Sequence, residues 1–321
     1  MIFGVGIVNL SLLMLAGVLL DALCGEVPYA HPLVAFGRHA RWLEDKLNRR
    51  PRNFLAGFLA WLLAILPLVS GATVLVNWIG QTSFFLVFAA HALLLYFCLG
   101  LRSLHDHCMP IAAALQHKDL AGARQLTQRI VSRDTAHAGE GDLSKAAVES
   151  LLENGNDAVF GTLFWFAIAG GPGALLFRLA NTLDAMWGYR NARFLAFGRV
   201  AARCDDALNW LPARLTALSY AVLGDTRNAW ACWQSQAPAW PSPNAGPVMA
   251  SGAGALRLSL GGAASYDGVV EMRPPLGSGR AAEAHDIARA WKLVLRATGL
   301  WCAAMCAMAL VSFLTACGYH A

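Results

Sequence analysis

The chain has 321 residues, 57% of them hydrophobic and only 14% charged, with a mean hydropathy of +0.46. Soluble domains carry about 25% charged residues, so the composition excludes an ordinary soluble protein and points to a membrane protein with a substantial polar remainder. The net charge of +5 is spread over many loops; it suits anionic lipid headgroups or phosphorylated ligands, and no dense basic stripe for duplex nucleic acid is present.

Ile2–Leu20 is uncharged and long enough to cross a bilayer at a helical rise of about 1.5 Å per residue. It has no basic segment before it and no small-residue cleavage site after it, so a retained helix is expected. Leu20–Arg38, with its Gly and Pro residues and the ionisable Asp21, Glu26 and His31, reads as a turn-forming segment at the membrane surface. Arg38, Arg41, Lys46, Arg49, Arg50 and Arg52 follow, and the positive-inside rule makes residues 21–53 cytoplasmic and the N-terminus external. Residues 54–79 form the second expected span, Gln81-Thr82-Ser83 an outer linker, and residues 84–101 the returning span.

Residues 102–157 read as an amphipathic cytoplasmic helical region that ends in the loop SRDTAHAGEGD, Ser132–Asp142, with Ser144 as the N-cap of a new helix. Residues 158–177 are apolar but broken by Gly170-Gly171-Pro172-Gly173. Both flanks are basic, so this stretch and residues 211–223 are expected to be re-entrant or buried. Residues 224–292 read as a second cytoplasmic region in which Pro241–Gly246 and Leu260–Tyr266 are loops, and residues 293–316 as the closing span. The expectation is an all-α integral membrane protein, one membrane-embedded domain over residues 1–321, built as a multi-pass helical bundle of about four to six membrane segments.

Eight cysteines occur without a CxxC pair, and Cys98, Cys302 and Cys306 sit in apolar runs where a thiol acts as a small hydrophobe. The nearest approach to a metal cluster outside the acidic stretches is His105-Asp106-His107-Cys108, whose adjacent ligands lack a distant second pair. The phosphate loop GxxxxGK[ST], HExxH and GxSxG are all absent. Gly277-Ser278-Gly279 with Ala282 imitates a dinucleotide fingerprint but follows Arg-Pro-Pro instead of a strand.

Four polar constellations remain. On a helix Glu149, Glu153 and Asp157 stack at i, i+4 and i+8, and such like charges repel by roughly a few tenths of a kcal/mol per pair. Local helix stability therefore does not explain them; a metal, an amine or arginines from elsewhere would, and the competing meaning is a solvated face. Arg133, Asp134 and Asn154 belong to the same region. In NTLDAMWGYRN, residues 181–191, the polar Asn181, Asp184, Tyr189 and Arg190 lie between apolar segments, where ionisable groups tend to face a cavity. In RCDDALNWLPARL, residues 203–215, Asp205 and Asn209 share a helix face while Asp206 points about 100° away. Ser242-Pro243-Asn244 is a turn whose hydroxyl and amide could hold a ligand. Carboxylates that hold Mg²⁺, with Arg and Lys that hold phosphate, are what a phosphate-using membrane enzyme needs.

At these residues the chain resembles the CobD/CbiB family of cobalamin-biosynthesis membrane proteins, the adenosylcobinamide-phosphate synthases. The resemblance rests on Val131–Thr135 (VSRDT), AAVESLLENGND, NTLDAMWGYRN, DDALNWLPARLTAL and SPNAG…GALRLSLGG, in the family's order and over nearly the whole chain. It implies ATP-dependent amide formation between adenosylcobyric acid and (R)-1-amino-2-propanol phosphate, or the free aminoalcohol, with ATP and Mg²⁺ as drivers. It also implies a bacterial inner membrane location with the active site facing the cytoplasm; association with other cobalamin-assembly membrane enzymes or as a homo-oligomer stays open. The roles it implies are catalysis by Glu149, Glu153, Asp157 and Asp184, with Mg²⁺ on Glu149, Glu153 and Asp184. Substrate contacts fall to Arg133, Asp134, Asn154, Asn181, Tyr189, Arg190, Asp205, Asn209, Arg214, Ser242 and Asn244. Three departures stand out: Met249 replaces a frequent Glu, Gly155 a frequent Thr, and Gly25-Glu26-Val27 an early G-D-P run. The alternatives are a regulatory relative of the AmpE type and a transporter of a corrinoid or another anion, the latter weakened by spans almost free of charge.

Overall fold

The computed structural model describes residues 6–27, 31–49, 53–266 and 268–318, with side chains to residue 316. Ile2 to Val5 of the first expected span and Arg50 and Arg52 of the basic loop lie outside the described residues. Among the described residues, five stretches are long and apolar enough to cross a membrane: Ile7–Cys24, Phe54–Thr82, Phe84–Gln116, Glu140–Trp187 and Ala284–Ala316. The protein is an all-α multi-pass membrane protein with one small sheet among the described residues. By its contacts the chain falls into two compact units, residues 1–100, 161–209 and 302–321, and residues 101–160 and 210–301.

The first unit begins with α1, Ile7–Cys24, which runs past the expected Leu20 because Asp21 is buried and Gly25 closes the helix on the Asp21 carbonyl. Helix α2, Pro32–Leu47, takes up much of what the sequence reading made a turn. His31 caps it, its Nδ1 accepting from Leu33 N at 3.2 Å, and Pro32 occupies the first turn, where no N–H is needed. Helix α3, Phe54–Thr82, is capped by Asn53, and Ser83 caps α4, Phe84–Cys98, so the outer linker shrinks to that residue.

Helix α8, Gly161–Trp187, breaks at Ala169 and Gly170, where the Gly-rich run predicts a break. Gly170 has φ +60° and ψ −151°, and the freed Gly171 N–H donates to His91 Nδ1 on α4 at 2.9 Å. The helix then resumes to Trp187, well past the expected Phe177, because Ala180, Leu183 and Trp187 continue a buried stripe. That stripe joins Phe36, Ala40, Leu43, Ala60, Ile65 and Phe197 in the core of this unit.

The second unit contains α5 (Leu101–Gln116), α6 (Leu120–Gln128) and α7 (Glu140–Gly155), which passes into a π-helical turn, Asn156–Phe160. Helix α7 starts earlier than the Ser144 cap expected from sequence. Gly139 is its N-cap, Glu140 and Asp142 sit favourably against the helix dipole, and Ser144 is buried inside the helix. Helix α9 (Arg199–Leu223) includes residues 211–223, which are not among the candidate spans. Next come α10 (Thr226–Gln236) and α11 (Ala245–Leu256), every residue of which is buried, Met249 included.

The expected loop Leu260–Tyr266 is instead part of a strand, β1 (Leu258–Tyr266), antiparallel to β2 (Val269–Leu276) and parallel to β3 (Arg280–Ala281). Gly261 and Gly262, the residues that suggested a loop, make a bulge in it, the use to which strands put glycine. The fingerprint-like Gly277-Ser278-Gly279 is the turn from β2 to β3. Helix α12, Ala284–Gly318, closes the chain.

Candidate functional site

The acidic stripe of α7 divides into residues with different fates. Glu149 is 2% exposed, and an unpaired carboxylate there would carry a large desolvation cost. Its Oε2 accepts from Arg133 Nη2, in the loop after α6, and from Arg273 Nη1 on β2 at 2.9 Å. Its Oε1 accepts from Arg273 Nη2 at 3.2 Å and from the Gly261 N–H at 2.8 Å. The bulge turns that N–H out of the ladder and onto the carboxylate. Burial opposes the Arg273 charge, but the hydrogen bonds and charge of Glu149 outweigh it and hold the guanidinium above its ordinary pKa. Two guanidinium groups share this one carboxylate, and Glu153, one turn on, lies within electrostatic reach of both. Arginines from elsewhere in the chain, one of the three explanations open at the sequence level, thus account for Glu149.

Arg273 was not foreseen. It lies in a run of Arg-Pro-Pro without periodic signal, and only the strand pairing of Gly262 with Arg273 brings it onto α7.

Glu153 and Asp157, one and two turns on, are half-buried. Asp157 Oδ1 accepts from Asn156 Nδ2 at 3.0 Å, and Asn156 Oδ1 accepts from Thr216 Oγ1 on α9 at 2.9 Å. The π turn that begins at Asn156 re-aims these side chains, a local irregularity frequent at functional sites. Asn154 donates back to Ser150 O and Oγ, both at 3.0 Å, so its amide is anchored on its own helix. Among the described residues no three His, Cys, Asp or Glu side chains are grouped as a metal cage requires, and both Glu149 oxygens are occupied by donors. Of the three expected Mg²⁺ ligands, Glu149 and Glu153 belong to the second unit and Asp184 to the first.

Asp134 ties the loop to the β1–β2 hairpin: its N–H donates to Ser265 O at 2.8 Å, and its Oδ2 accepts from Gly268 N at 2.7 Å. Beside it opens a cavity of about 550 Å³ lined by Arg133, Asp134, Thr135, His137, Lys145 and Ser265 among others. Ser242 accepts from Asn244 N and Ala245 N and so shapes the entry to α11. Arg214 Nη1 on α9 donates to Asn244 Oδ1 at 2.8 Å and to Trp210 O at 3.0 Å, and its guanidinium lies 4.5 Å from the Trp210 ring centre. Thus WLPARL and SPN, 30 residues apart in sequence, meet in one contact. A second cavity, of about 590 Å³, lies beside Arg214.

In the first unit Asn181 Nδ2 donates to Asp205 Oδ1 at 3.3 Å, linking α8 to α9. Asp205 and Asn209 are both buried and Asp206 only partly so, as their spacing predicts. Burial raises the Asp206 carboxyl above its ordinary pKa against the pull of Arg203 and Arg190. Asp184 is half-buried beneath the turn in which its carbonyl accepts from Gly188 N at 2.7 Å, while Tyr189 and Arg190 are exposed. The structure thus gathers Arg133, Asp134, Glu149, Glu153, Asn154, Asp157, Arg214, Ser242 and Asn244 in the second unit, and Asn181, Asp184, Tyr189, Arg190, Asp205 and Asn209 in the first.

Residues 14–294 match the family model described as CobD/Cbib protein. A protein of Stutzerimonas stutzeri named cobalamin biosynthesis protein CobD is 53% identical over 91% of this chain and 96% of its own length. Another of that name from Chromobacterium violaceum is 48% identical over 94% of this chain and 98% of its own, and one from Mycobacterium tuberculosis 38% identical over 86% and 88%. No solved structure matches the chain. With the family model covering most of its length and these relatives aligned almost end to end, this chain belongs to the CobD/CbiB family.

Proposed function

We propose that the protein serves cobalamin biosynthesis as an adenosylcobinamide-phosphate synthase. In this reading it joins the free propionate of adenosylcobyric acid to the amine of (R)-1-amino-2-propanol phosphate, or of the free aminoalcohol, at the expense of ATP. The observation that carries this is the near end-to-end alignment, at 53% and 48% identity, with proteins named for cobalamin biosynthesis. The site chemistry supports the amide-forming step. A carboxylate is a poor acylating group, so its oxygen is first phosphorylated; the amine then attacks the acyl carbon, the C–O bond breaks, and phosphate leaves with that oxygen. Such a reaction brings several anions together, and the arrangement in the second unit suits them. Arg133 and Arg273, held by Glu149, offer guanidinium donors for anionic groups, and Lys145 and His137 share a cavity with Arg133 in which Asp134 and Asp142 balance the charge.

Mg²⁺ usually takes one or two carboxylates with the rest of its shell from phosphates and water, so a nucleotide-bound ion needs no protein cage. Glu153, one turn on from the clamp, is the acid we assign to such an ion or to the incoming amine, with Asp157 beyond it on the same face. Asp184 and Arg190, with Asn181, Asp205 and Asn209, form the second polar cluster, which we assign to substrate contacts. By the loop charge bias the reaction faces the cytoplasm, from the bacterial inner membrane.

The test is ATP-dependent conversion of adenosylcobyric acid plus aminopropanol phosphate by membranes carrying the protein. Amide product at the expense of ATP is expected; no product, with ATP left intact, would sink the synthase reading. Full activity in Glu153→Gln or Asp184→Asn would overturn the site assignment while leaving the reaction standing.

A further inference from the structure

The cavity beside Arg214 differs in chemistry from the polar one near Arg133. Trp230, Trp233 and Trp240 line it together with a series of prolines, and no carboxylate is among its lining residues. Arg214 is its cation. One Nη1 is committed to Asn244 Oδ1 and Trp210 O, while Nε and Nη2 make no hydrogen bond among the described residues. Trp230 and Trp233 meet edge to face with ring centres 5.3 Å apart, leaving ring surface toward the cavity, and Trp230 is 46% exposed. Trp240 is also approached by the Arg273 guanidinium, 5.8 Å from its ring centre, so its indole is coupled to the Glu149 clamp. Flat aromatic walls, prolines without N–H donors and a single unopposed cation fit a ligand with one planar uncharged face and one anionic end.

We propose that this cavity binds the adenine nucleotide, its base against the indoles of Trp230 and Trp233 and its phosphates toward Arg214. This deepens the synthase reading and rests on it. At about 590 Å³ the space falls within the usual size of small-molecule sites and holds a nucleotide, whereas a corrin macrocycle with its amide arms would enter only by an edge. Base stacking on indole tolerates the neutral ring, and the guanidinium supplies forked donors for phosphate oxygens. The Trp240–Arg273 contact then places the nucleotide next to the clamp that we assign to the reacting anions.

The experiment is calorimetric binding to the full-length protein in nanodiscs, with four probes: Mg-ATP, adenosine, inorganic tripolyphosphate and adenosylcobyric acid. Trp230→Ala and Trp233→Ala are expected to weaken Mg-ATP and adenosine about tenfold each and to leave tripolyphosphate unchanged. Arg214→Gln is expected to weaken Mg-ATP and tripolyphosphate by about tenfold or more and to leave adenosine unchanged, with Arg214→Lys recovering part of the loss. Trp230 is half exposed, so its variant also guards against a loss through misfolding. Wild-type protein that binds no Mg-ATP overturns the proposal, as do variants that keep full Mg-ATP affinity or lose corrinoid affinity instead. In the last two cases a wild-type protein that still forms the amide leaves the synthase reading intact. A wild-type protein that binds Mg-ATP here but forms no amide leaves the cavity assignment standing and removes the reaction.

Discussion

Glu149 shows how much one side chain can be asked to do. It is a buried anion between two guanidinium groups and a backbone N–H, which makes it a positioning residue for Arg133 and Arg273. Removing one partner of a buried ion cluster strands the other charges, so Glu149→Gln is expected to lower stability by about 3–5 kcal/mol, read as a lower thermal midpoint in detergent. Replacing all three residues with apolar ones of similar volume is expected to restore most of that stability without restoring activity. Recovery of both together would contradict the positioning role. The sequence made the acidic stripe visible through its period of four. It could not show which acid meets arginine, because Arg133 and Arg273 come from a loop and a strand 16 and 124 residues away. Asn154, a polar residue on the same face, has its amide donor bonded one turn back, at Ser150.

At the scale of elements, helix breaks and caps were legible where Gly, Pro and Asx residues act locally, and lost where tertiary packing decides. The Gly170 break followed from composition. Its conformation at φ +60° and ψ −151° is one that only glycine adopts without strain, and an added Cβ would lie 2.6 Å from His91 Cε1. Gly170→Ala is therefore expected to cost about 1–3 kcal/mol from the backbone alone, with the thermal midpoint as readout. An unchanged midpoint would mean that the break is not fixed by this residue. The sheet was missed because paired glycines read as a loop, whereas here they are a bulge whose N–H serves Glu149.

Asp225 offers a pH test on α10. Its Oδ1 accepts from Asn228 N at 3.1 Å and its Oδ2 pairs with Arg257 Nε at 2.6 Å, so the cap hydrogen bond, then the arginine, hold its carboxyl below the usual range. A folded-state pKa below the unfolded value of about 3.9 makes its stabilisation complete above that value. The contribution fades as the pH falls through the folded pKa. Asp225→Asn keeps a capping oxygen but not the charge. The gap in thermal midpoint between wild type and Asp225→Asn is thus expected to shrink from about pH 6 to about pH 3. A gap constant across that range would contradict the linkage.

For the whole molecule, the membrane class was evident from hydropathy, and helix boundaries drifted by a few residues because capping and buried stripes extend helices beyond apolar runs. The division into two compact units was not visible, since each unit is assembled from segments far apart in sequence. The loop charge bias carries a prediction at this scale. With His137→Cys in a cysteine-free background, a membrane-impermeant maleimide is expected to label inverted vesicles and spare intact spheroplasts. The reverse pattern would place the polar cavity on the outer face.

Amide formation through a phosphorylated propionate can be followed by an isotope balance. Adenosylcobyric acid carrying ¹⁸O at both oxygens of its free carboxylate is turned over with ATP and aminopropanol phosphate by the purified protein in nanodiscs. Each amide formed is predicted to release one inorganic phosphate carrying one ¹⁸O from the corrinoid. Amide formed with no label in the phosphate, or no amide at all, would rule out the acyl-phosphate route.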